Sequence, residues 1–247
     1  MILPDPRLEM PALRYPGRKP VGRVALDWDN KYTDSLVTAI VPTSNYVEDI
    51  ALFKTATGST APYLENALYY SSTANDVVDT VSMRSRVPLL FLFVGSCGDI
   101  SLWDAGGIVV QALDFPVTVN VLTINRSSST PTALQFYFGS GTPIQLGLAI
   151  SLLYGKHSTF ALRVTNTGDI SQWSAIGYAN GEKIGTTGMV SGQSATKVSS
   201  ENININSSTV GERANFQMEA MYIWQKEFTD AEVFEIMNDP YQFIVPT

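Results

Sequence analysis

The stretch FQMEAMYIW at residues 216–224 leads through a short polar link into FTDAEVFEIMND at residues 228–239, and Pro240 follows directly. The first part places an apolar residue at every second position, which is the pattern of a half-buried β-strand. We therefore expect one face of this strand to carry the alternating apolar set of Phe216, Met218, Ala220, Tyr222 and Trp224.

The second part of the stretch has the start and stop signals of one short α-helix. Thr229 is a suitable N-cap, and Glu232 lies three residues later, where its carboxylate can reach back to the backbone N–H of the cap. Phe228 and Val233 have the spacing of a hydrophobic staple around that cap. Pro240 disfavours helical geometry in the residue before it, so we expect a helix of about two to three turns.

The rest of the chain, from Val24 onward, carries the signals of β-structure. Short alternating runs at residues 117–121, 134–138 and 160–164 are separated by segments rich in Ser, Gly and Pro. The pair Asn180-Gly181 predicts a hairpin, because it supplies the two positive φ angles that a type I′ turn requires. This arrangement indicates an all-β domain, either a sandwich or a barrel.

Composition limits the class of protein and its partners. The 247 residues are 45% hydrophobic and 16% charged, which is typical of one globular domain at the large end of the all-β range. The net charge of −7 argues against nucleic acid as a partner, because phosphate binding needs clustered Lys and Arg. The only such cluster lies in the proline-rich first 22 residues and includes Arg7, Arg14, Arg18 and Lys19.

We expect residues 1–22 to form an extended arm and residues 23–247 to form one domain. The basic arm can dock on an acidic neighbour, although a solvated terminus is the commoner role of such a segment. Cys97 is the single cysteine, so an intrachain disulfide is excluded. The apolar run around Cys97 is too short to cross a bilayer, and the N-terminus lacks the features of a signal peptide. These observations predict synthesis in a cytoplasm and no membrane partner.

Three segments in sequence order carry a resemblance to a known family. They are KPVG at residues 19–22 with DWDN at residues 27–30, the hairpin at residues 176–184, and residues 216–243. Together they resemble the concanavalin A-like (laminin G-like, jelly-roll) domains, especially those of tailed-bacteriophage virion proteins. The resemblance spans roughly residues 19–246, with the middle assigned by continuity. It implies a two-sheet antiparallel β-sandwich with one short C-terminal helix, an extended N-terminal arm and a location in the virion.

Acid–base chemistry is not evident in the sequence. A glycosidase of this fold needs paired carboxylates, and the nearest acidic group, Glu227, Asp230 and Glu232, falls where the helix begins. Helix N-termini favour acidic residues for electrostatic reasons, and Glu219 is isolated on its strand. His157 is the only histidine, so a Ser-His-Asp arrangement is not expected. We predict that the chain is not an enzyme.

Two acidic groups are weak candidates for calcium. Asp27 and Asp29 resemble the start of an acidic calcium loop, but the turn glycine and the bidentate Glu are missing. Asp99 and Asp104 flank Trp103 in a glycine-containing segment. Ordinary turn carboxylates are the commoner interpretation of both groups, so we predict no cofactor and leave calcium as the alternative.

Sugar binding needs exposed aromatic rings beside amide or acid groups. Trp103, Trp173, Tyr178 and Asn180 are the candidates, with core packing of the aromatic rings as the competing interpretation. The resemblance favours a virion structural protein, either a capsid decoration protein or a fibre-associated module. Such a protein would dock on other capsid or tail proteins through its arm and form a homo-oligomer. A lectin-like module for adsorption to host surface glycans is the alternative, and a glycoside hydrolase of the same fold is a minor one.

Overall fold

The computed structural model describes residues 18–43, 48–51, 54–55, 63–64, 67–70, 76–80, 88–97, 108–114, 119–126, 133–138, 144–149, 157–166, 172–186, 190–191, 201–205 and 216–247. The strands in these ranges are β1 (Val24–Leu26), β2 (Leu36–Ile40), β3 (Glu48–Asp49), β4 (Lys54–Thr55), β5 (Tyr63–Leu64), β6 (Ala67–Tyr70), β7 (Asp76–Thr80), β8 (Leu89–Cys97), β9 (Ile108–Asp114), β10 (Val119–Arg126), β11 (Ala133–Phe138), β12 (Ile144–Ala149), β13 (Ser158–Asn166), β14 (Gln172–Ala179), β15 (Glu182–Thr186), β16 (Val190–Ser191), β17 (Glu201–Ile205), β18 (Phe216–Trp224) and β19 (Ile244–Pro246). A 3₁₀ turn at Thr33–Ser35 precedes β2, and helix α1 (Asp230–Asn238) lies between β18 and β19.

The strands form two large antiparallel sheets and one small ribbon. The larger sheet has the order β15-β14-β13-β8-β18-β2-β3-β4, with β16 on β14, β6 on β18 and β5 on β6. The smaller sheet has the order β12-β11-β10-β9-β17-β7, and β1 pairs with β19. This architecture confirms the predicted all-β sandwich with one short C-terminal helix. In the ranges given above, no helix combines the length and apolar character that crossing a bilayer requires.

A large hydrophobic core lies between the larger sheet and α1. Tyr222 and Trp224 of β18 are fully buried there, together with Val233 and Ile236 of the helix. The ring of Phe243 meets those of Tyr222 and Trp224 edge-on, with centroid separations of 4.6 and 5.3 Å. Such aromatic pairs contribute about 0.5–1.5 kcal/mol each beyond the area that they bury. The closing segment of the chain is therefore the centre of this core.

The start and end of α1 follow the sequence signals. The backbone N–H of Glu232 donates to Oγ1 of Thr229 at 3.2 Å, and the backbone N–H of Thr229 donates to Oε2 of Glu232 at 2.8 Å. These two bonds confirm the predicted capping box. The helix ends at Asn238, and Asp239, the residue before Pro240, has a φ of −135° outside the helical region.

The Asn180-Gly181 turn is also confirmed. Asn180 has a φ of 50° and Gly181 a φ of 81°, and the turn joins β14 to β15 as an antiparallel hairpin. Positive φ angles at both central residues are the geometry of a type I′ turn.

A β-bulge at Glu219 interrupts the pairing of β18 with β8. Met218 lies opposite Gly95 and Ala220 lies opposite Val94, so Glu219 is one extra residue on β18. The two strands approach so closely here that a Cβ at Gly95 would overlap the carbonyl oxygen of the residue before Met218. A bulge re-aims the side chain of the inserted residue, which in this strand is a carboxylate.

The bulge corrects the predicted face pattern of β18. One inserted residue exchanges the faces of a strand on either side of it. Tyr222 and Trp224 pack under α1, whereas Phe216 lies on the opposite face and meets Phe93 edge-on at 5.8 Å. The prediction that Phe216 and Met218 share a face with Trp224 is therefore wrong.

Lys19 does not have the solvated side chain that a docking arm requires. Its side chain is buried, its Nζ donates to the carbonyl oxygen of Pro42, and the ring centroid of Tyr63 lies 5.7 Å from that nitrogen. Burial lowers the pKa of Lys19 to about 7, although the negative charge of Glu219 acts in the opposite direction. Lys19 is thus anchored on the domain and is not part of a solvated docking arm.

Of the other predicted arm residues, the structure describes only Arg18. Arg18 is exposed, and Arg7 and Arg14 lie outside the described residues. The docking role of the arm stays a prediction.

Candidate functional site

An open cleft of about 650 Å³ lies between α1 and the turn that joins β14 to β15. We call it the α1 cleft. Its lining on the turn side is His157, Thr159, Asn180 and Gly181, and on the helix side Ala231, Phe234, Glu235, Met237, Asn238 and Pro240. A concave surface with several apolar residues and a few convergent polar groups is the usual form of a small-ligand site.

The helix side of the cleft is one face of α1. Ala231, Phe234, Glu235 and Asn238 recur at the spacing i, i+3, i+4, i+7, which places them on one stripe. The ring of Phe234 is partly buried and meets Tyr178 of β14 edge-on, with the centroids 5.7 Å apart. This contact holds the ring of Phe234 against the sheet, and Glu235 and Asn238 lie on the same face of the helix.

An ion-pair cluster holds the start of α1 on the sheet. Nη2 of Arg163 lies 2.7 Å from Oδ1 of Asp230, and the hydroxyl of Tyr178 donates to the same oxygen at 2.7 Å. Nη1 of Arg163 donates to the carbonyl of Phe228 at 2.7 Å. The bond from Tyr178 and the charge of Arg163 outweigh desolvation and lower the pKa of Asp230. Asp230 therefore positions the helix, as its place at the helix start indicates.

On the turn side, Asn180 is tied to Thr159 by two hydrogen bonds. The backbone N–H of Thr159 donates to Oδ1 of Asn180 at 3.0 Å, and the backbone N–H of Asn180 donates to the carbonyl of Thr159 at 2.9 Å. The amide oxygen of Asn180 is thereby used within the protein. Its Nδ2 group, on an exposed residue of the cleft, is the part that a ligand can reach.

His157 is held by Glu219, the bulged residue of β18. Nε2 of His157 lies 3.3 Å from Oε2 of Glu219, and the hydroxyl of Tyr241 donates to the same oxygen at 2.7 Å. The His157 side chain is 48% exposed and that of Glu219 is 22% exposed. Glu219 is isolated among the apolar residues of its strand in the sequence, whereas the fold brings two polar side chains, His157 and Tyr241, to its carboxylate.

The charges in this cluster reinforce one another. The hydrogen bond to Glu219 raises the pKa of His157 against the opposing effect of desolvation. Burial alone would raise the pKa of Glu219, but the hydrogen bonds from His157 and Tyr241 lower it overall. Burial and the nearby Glu219 charge raise the pKa of Tyr241. The hydrogen bonds of the cluster thus favour the protonated form of His157 and the ionised form of Glu219, and they favour the neutral phenol of Tyr241.

Trp28 is a further exposed side chain, and it lies between the two calcium candidates Asp27 and Asp29. It is 58% exposed on a turn after β1. The backbone N–H of Asp29 donates to Oδ1 of Asp27, and Nδ2 of Asn30 donates to the carbonyl of Gln242 at 3.1 Å. These bonds make the loop a fixed turn.

The calcium candidates gain no support from this geometry. Asp27 and Asp29 belong to the Trp28 turn, and Asp99 and Asp104 lie outside the described residues. Within the described part of the chain, no group of three or more His, Cys, Asp or Glu side chains could hold a metal ion.

The predicted sugar-binding residues fall in different places. Asn180 lines the α1 cleft, whereas Tyr178 is fully buried and its ring cannot stack on a sugar, so that prediction is wrong. Trp173 occupies a position on β14 opposite β13 and β16, and Trp103 lies outside the described residues. The helix-side residues Phe234 and Asn238 were missed, because their helical spacing equally fits a solvated helix face.

Comparison with known proteins finds similarity only in structure. No protein-family model matches the chain, and no curated protein sequence does. The structure of Trypanosoma rangeli sialidase in complex with sialic acid matches with a TM-score of 0.63 and 12% identity, over 85% of this chain and 33% of the sialidase chain. The binding domain of botulinum neurotoxin serotype D/C matches with a TM-score of 0.60 and 16% identity, over 84% of this chain and 53% of that one.

These likenesses show the fold. They support the β-sandwich that the resemblance to concanavalin A-like domains implies, and they concern proteins with sugar-related and receptor-binding names. The chain spans about a third of the sialidase chain and about half of the toxin chain. One fold hosts many functions, so the activities of those whole proteins are not transferred by the likeness. The virion role stays a prediction.

The prediction that the chain is not an enzyme is contradicted by this comparison, because the first solved structures that match are those of sialidases. That prediction depended on the spacing of acidic residues along the sequence. Spacing does not show long-range pairs such as Glu219 with His157, which the fold brings to one site. The missing sequence pattern is therefore no ground for excluding catalysis.

Proposed function

We propose that this chain is a carbohydrate-binding β-sandwich module and that it binds glycans in the α1 cleft. The observation that carries the proposal is the arrangement of the cleft. The partly buried ring of Phe234 lies among Asn180, Glu235 and Asn238. A sugar ring packs its apolar face on an aromatic ring, and its hydroxyl groups bond to amides and carboxylates around that ring.

Glu235 is prepared to accept hydrogen bonds from sugar hydroxyls. Nζ of Lys31 and the hydroxyl of Tyr32 both donate to its Oε2, at 2.9 and 2.7 Å. These bonds lower the pKa of Glu235 and keep it ionised. They also fix the side chain while its second oxygen stays available, and an ionised carboxylate accepts stronger hydrogen bonds than a neutral group does.

The solved structures support a sugar-related role without supplying a ligand for this chain. The sialidase structure contains sialic acid, and the toxin structures are of a binding domain and a receptor-binding domain. At 12–16% identity, the residues that hold a ligand in those proteins are not carried over. The proposal depends on the residues of the α1 cleft.

A glycan array probed with the full-length chain tests the proposal. We expect binding to a subset of glycans, and we expect Glu235→Gln to weaken it by about tenfold, because a hydrogen bond to a charged group contributes about 1.5–3 kcal/mol. Glu227→Gln is the matched control, since Glu227 is an exposed glutamate outside the cleft lining. Absence of binding at millimolar glycan, or equal binding by Glu235→Gln and wild type, contradicts the proposal.

A further inference from the structure

We infer that the turn end of the α1 cleft binds the anionic group of an acidic sugar, a carboxylate or a sulfate, through His157 and Asn180. The inference rests on the proposed function, since it names the class of glycan that the cleft takes. It is drawn from the hydrogen-bonding capacity that these two side chains have left for a ligand.

Each of the two side chains has a donor available to the cleft. Oδ1 of Asn180 already accepts from the backbone of Thr159, and the Nδ2 group beside it can donate to a ligand. Nε2 of His157 is bound to Glu219, which leaves Nδ1. Both nitrogens of a protonated imidazole are donors. Two donors in the lining of the same cleft, one of them charged when His157 is protonated, match a group that only accepts, and carboxylates and sulfates are such groups.

The bulge at Glu219 holds the charge of His157 in place. Glu219 is less exposed than His157, at 22% against 48%, it is not among the residues that line the cleft, and Tyr241 donates to its Oε2. Glu235, the carboxylate in the cleft lining, is paired with Lys31 at 2.9 Å, which offsets part of its negative charge. When protonated, His157 is therefore a positive group in the cleft lining that is more exposed than its counter-ion Glu219.

The neighbouring elements contribute other charged or titratable groups to this region. They are Glu219 on β18, Glu235 and Asp230 at α1, Asp239 and Tyr241 after the helix, Lys19 in the N-terminal segment, and Glu182 and Lys183 on β15. Asp230 is paired with Arg163 and Lys183, and the positive charge of Lys19 acts on Glu219. Asp230, Glu235 and Glu219 thus each interact with a positively charged side chain.

Matched glycans distinguish this inference from the proposed function. The probes are oligouronates, the same oligosaccharides with methyl-esterified carboxyl groups, the neutral parent oligosaccharides, and their O-sulfated forms. We expect acidic forms to bind about tenfold more tightly than esterified or neutral forms, the margin by which a charge-assisted hydrogen bond exceeds a neutral one. A preference for uronates alone or for sulfated sugars alone supports the inference and identifies the source of the anion.

Two outcomes overturn the inference in different ways. Equal binding of acidic and neutral forms overturns it and leaves the proposed function standing. Binding of none of the probes, with no hit on the array, overturns both.

Three variants locate the effect. His157→Gln keeps a donor toward Glu219 without the charge, and Asn180→Gly keeps the left-handed turn without the amide. We expect His157→Gln to lose about tenfold in affinity for acidic forms and little for neutral ones. Asn180→Gly should lose severalfold for acidic forms. Lys226→Gln, which removes an exposed positive charge outside the cleft lining, is the control and should change neither.

The pH dependence of glycan binding distinguishes a direct role of His157 from a purely structural one. Binding of acidic forms should fall as the pH rises through the pKa of His157. Glu219→Gln should shift that fall to lower pH, because it removes the partner that raises the pKa. His157 is the only histidine, so its NMR signal reports this pKa directly. A profile that is flat through the His157 titration, or unaffected affinity in His157→Gln, overturns the inference.

Discussion

Glu219 is the residue whose surroundings matter most at the smallest scale. One oxygen of its carboxylate is within hydrogen-bonding distance of His157 and Tyr241. Glu219 lies on β18, His157 directly precedes β13, and Tyr241 follows α1. Its charge depends on those hydrogen bonds, because burial alone would favour the neutral acid.

The His157–Glu219 pair should make stability depend on pH in a defined window. The pKa of His157 is raised from 6.5, so its contribution is full below pH 6.5 and is lost as pH rises through the folded value. The pKa of Glu219 is lowered from 4.5, so its contribution is full above that pH and is lost as pH falls through the folded value. The destabilisation by His157→Gln, measured by urea unfolding, should be larger at pH 5.5 than at pH 8.5. An equal effect at both pH values contradicts this account.

Lys19 should contribute a pH dependence of the opposite kind. Its pKa is lowered from 10.5 to about 7 in the fold, so between these values the unfolded chain binds more protons and stability rises with pH. The slope is at most about 1.4 kcal/mol per pH unit for one group. Lys19→Met should remove this rise, measured as urea midpoints from pH 7 to pH 10. A Lys19→Met profile parallel to that of wild type would show that Lys19 is not buried in this way.

At the scale of elements, the bulge between β8 and β18 shows what sequence reasoning reached and where it stopped. Alternation predicted a half-buried strand at residues 216–224. The strand is confirmed, but its last five residues are all buried. Periodicity carries no information on a single inserted residue, which is set by pairing with a distant strand. A glutamate within an apolar strand was the available signal for the bulge. Asn180 was found because a type I′ turn is a local property of two residues.

Gly95 should be essential to the bulge. An added Cβ would collide with the carbonyl of Gln217 on the neighbouring strand, so Gly95→Ala must push β8 and β18 apart. We expect a loss of about 1–3 kcal/mol in the free energy of unfolding, together with a fall in the pKa of His157 as Glu219 is displaced. Ser96→Ala is the control on the same strand pair, since it removes a side-chain bond to Gln217 and leaves the backbone pairing intact. If Gly95→Ala leaves stability and the His157 titration unchanged, the bulge does not depend on this glycine.

At the scale of the whole molecule, the sandwich is a common scaffold, and we propose that its function resides in the α1 cleft. Structures with 12–16% identity share the fold, and sequence comparison detects none of this. The cleft is formed by the β14–β15 turn and α1, which are far apart in the sequence. The sequence therefore predicted each element but not that they lie next to each other. The predicted docking arm, homo-oligomer and virion location stay predictions, because each depends on contacts with other chains.

The most direct test of carbohydrate binding in the α1 cleft is NMR mapping of a bound glycan on the full chain. A glycan that binds on the array is titrated into isotope-labelled protein, and shifts are followed for backbone and side-chain amides. We predict that the largest changes fall on Asn180, Asn238 and the imidazole of His157, with little change at Trp28. Largest changes at Trp28 or elsewhere away from the cleft, in the presence of saturable binding, would contradict the assignment of the α1 cleft as the glycan site.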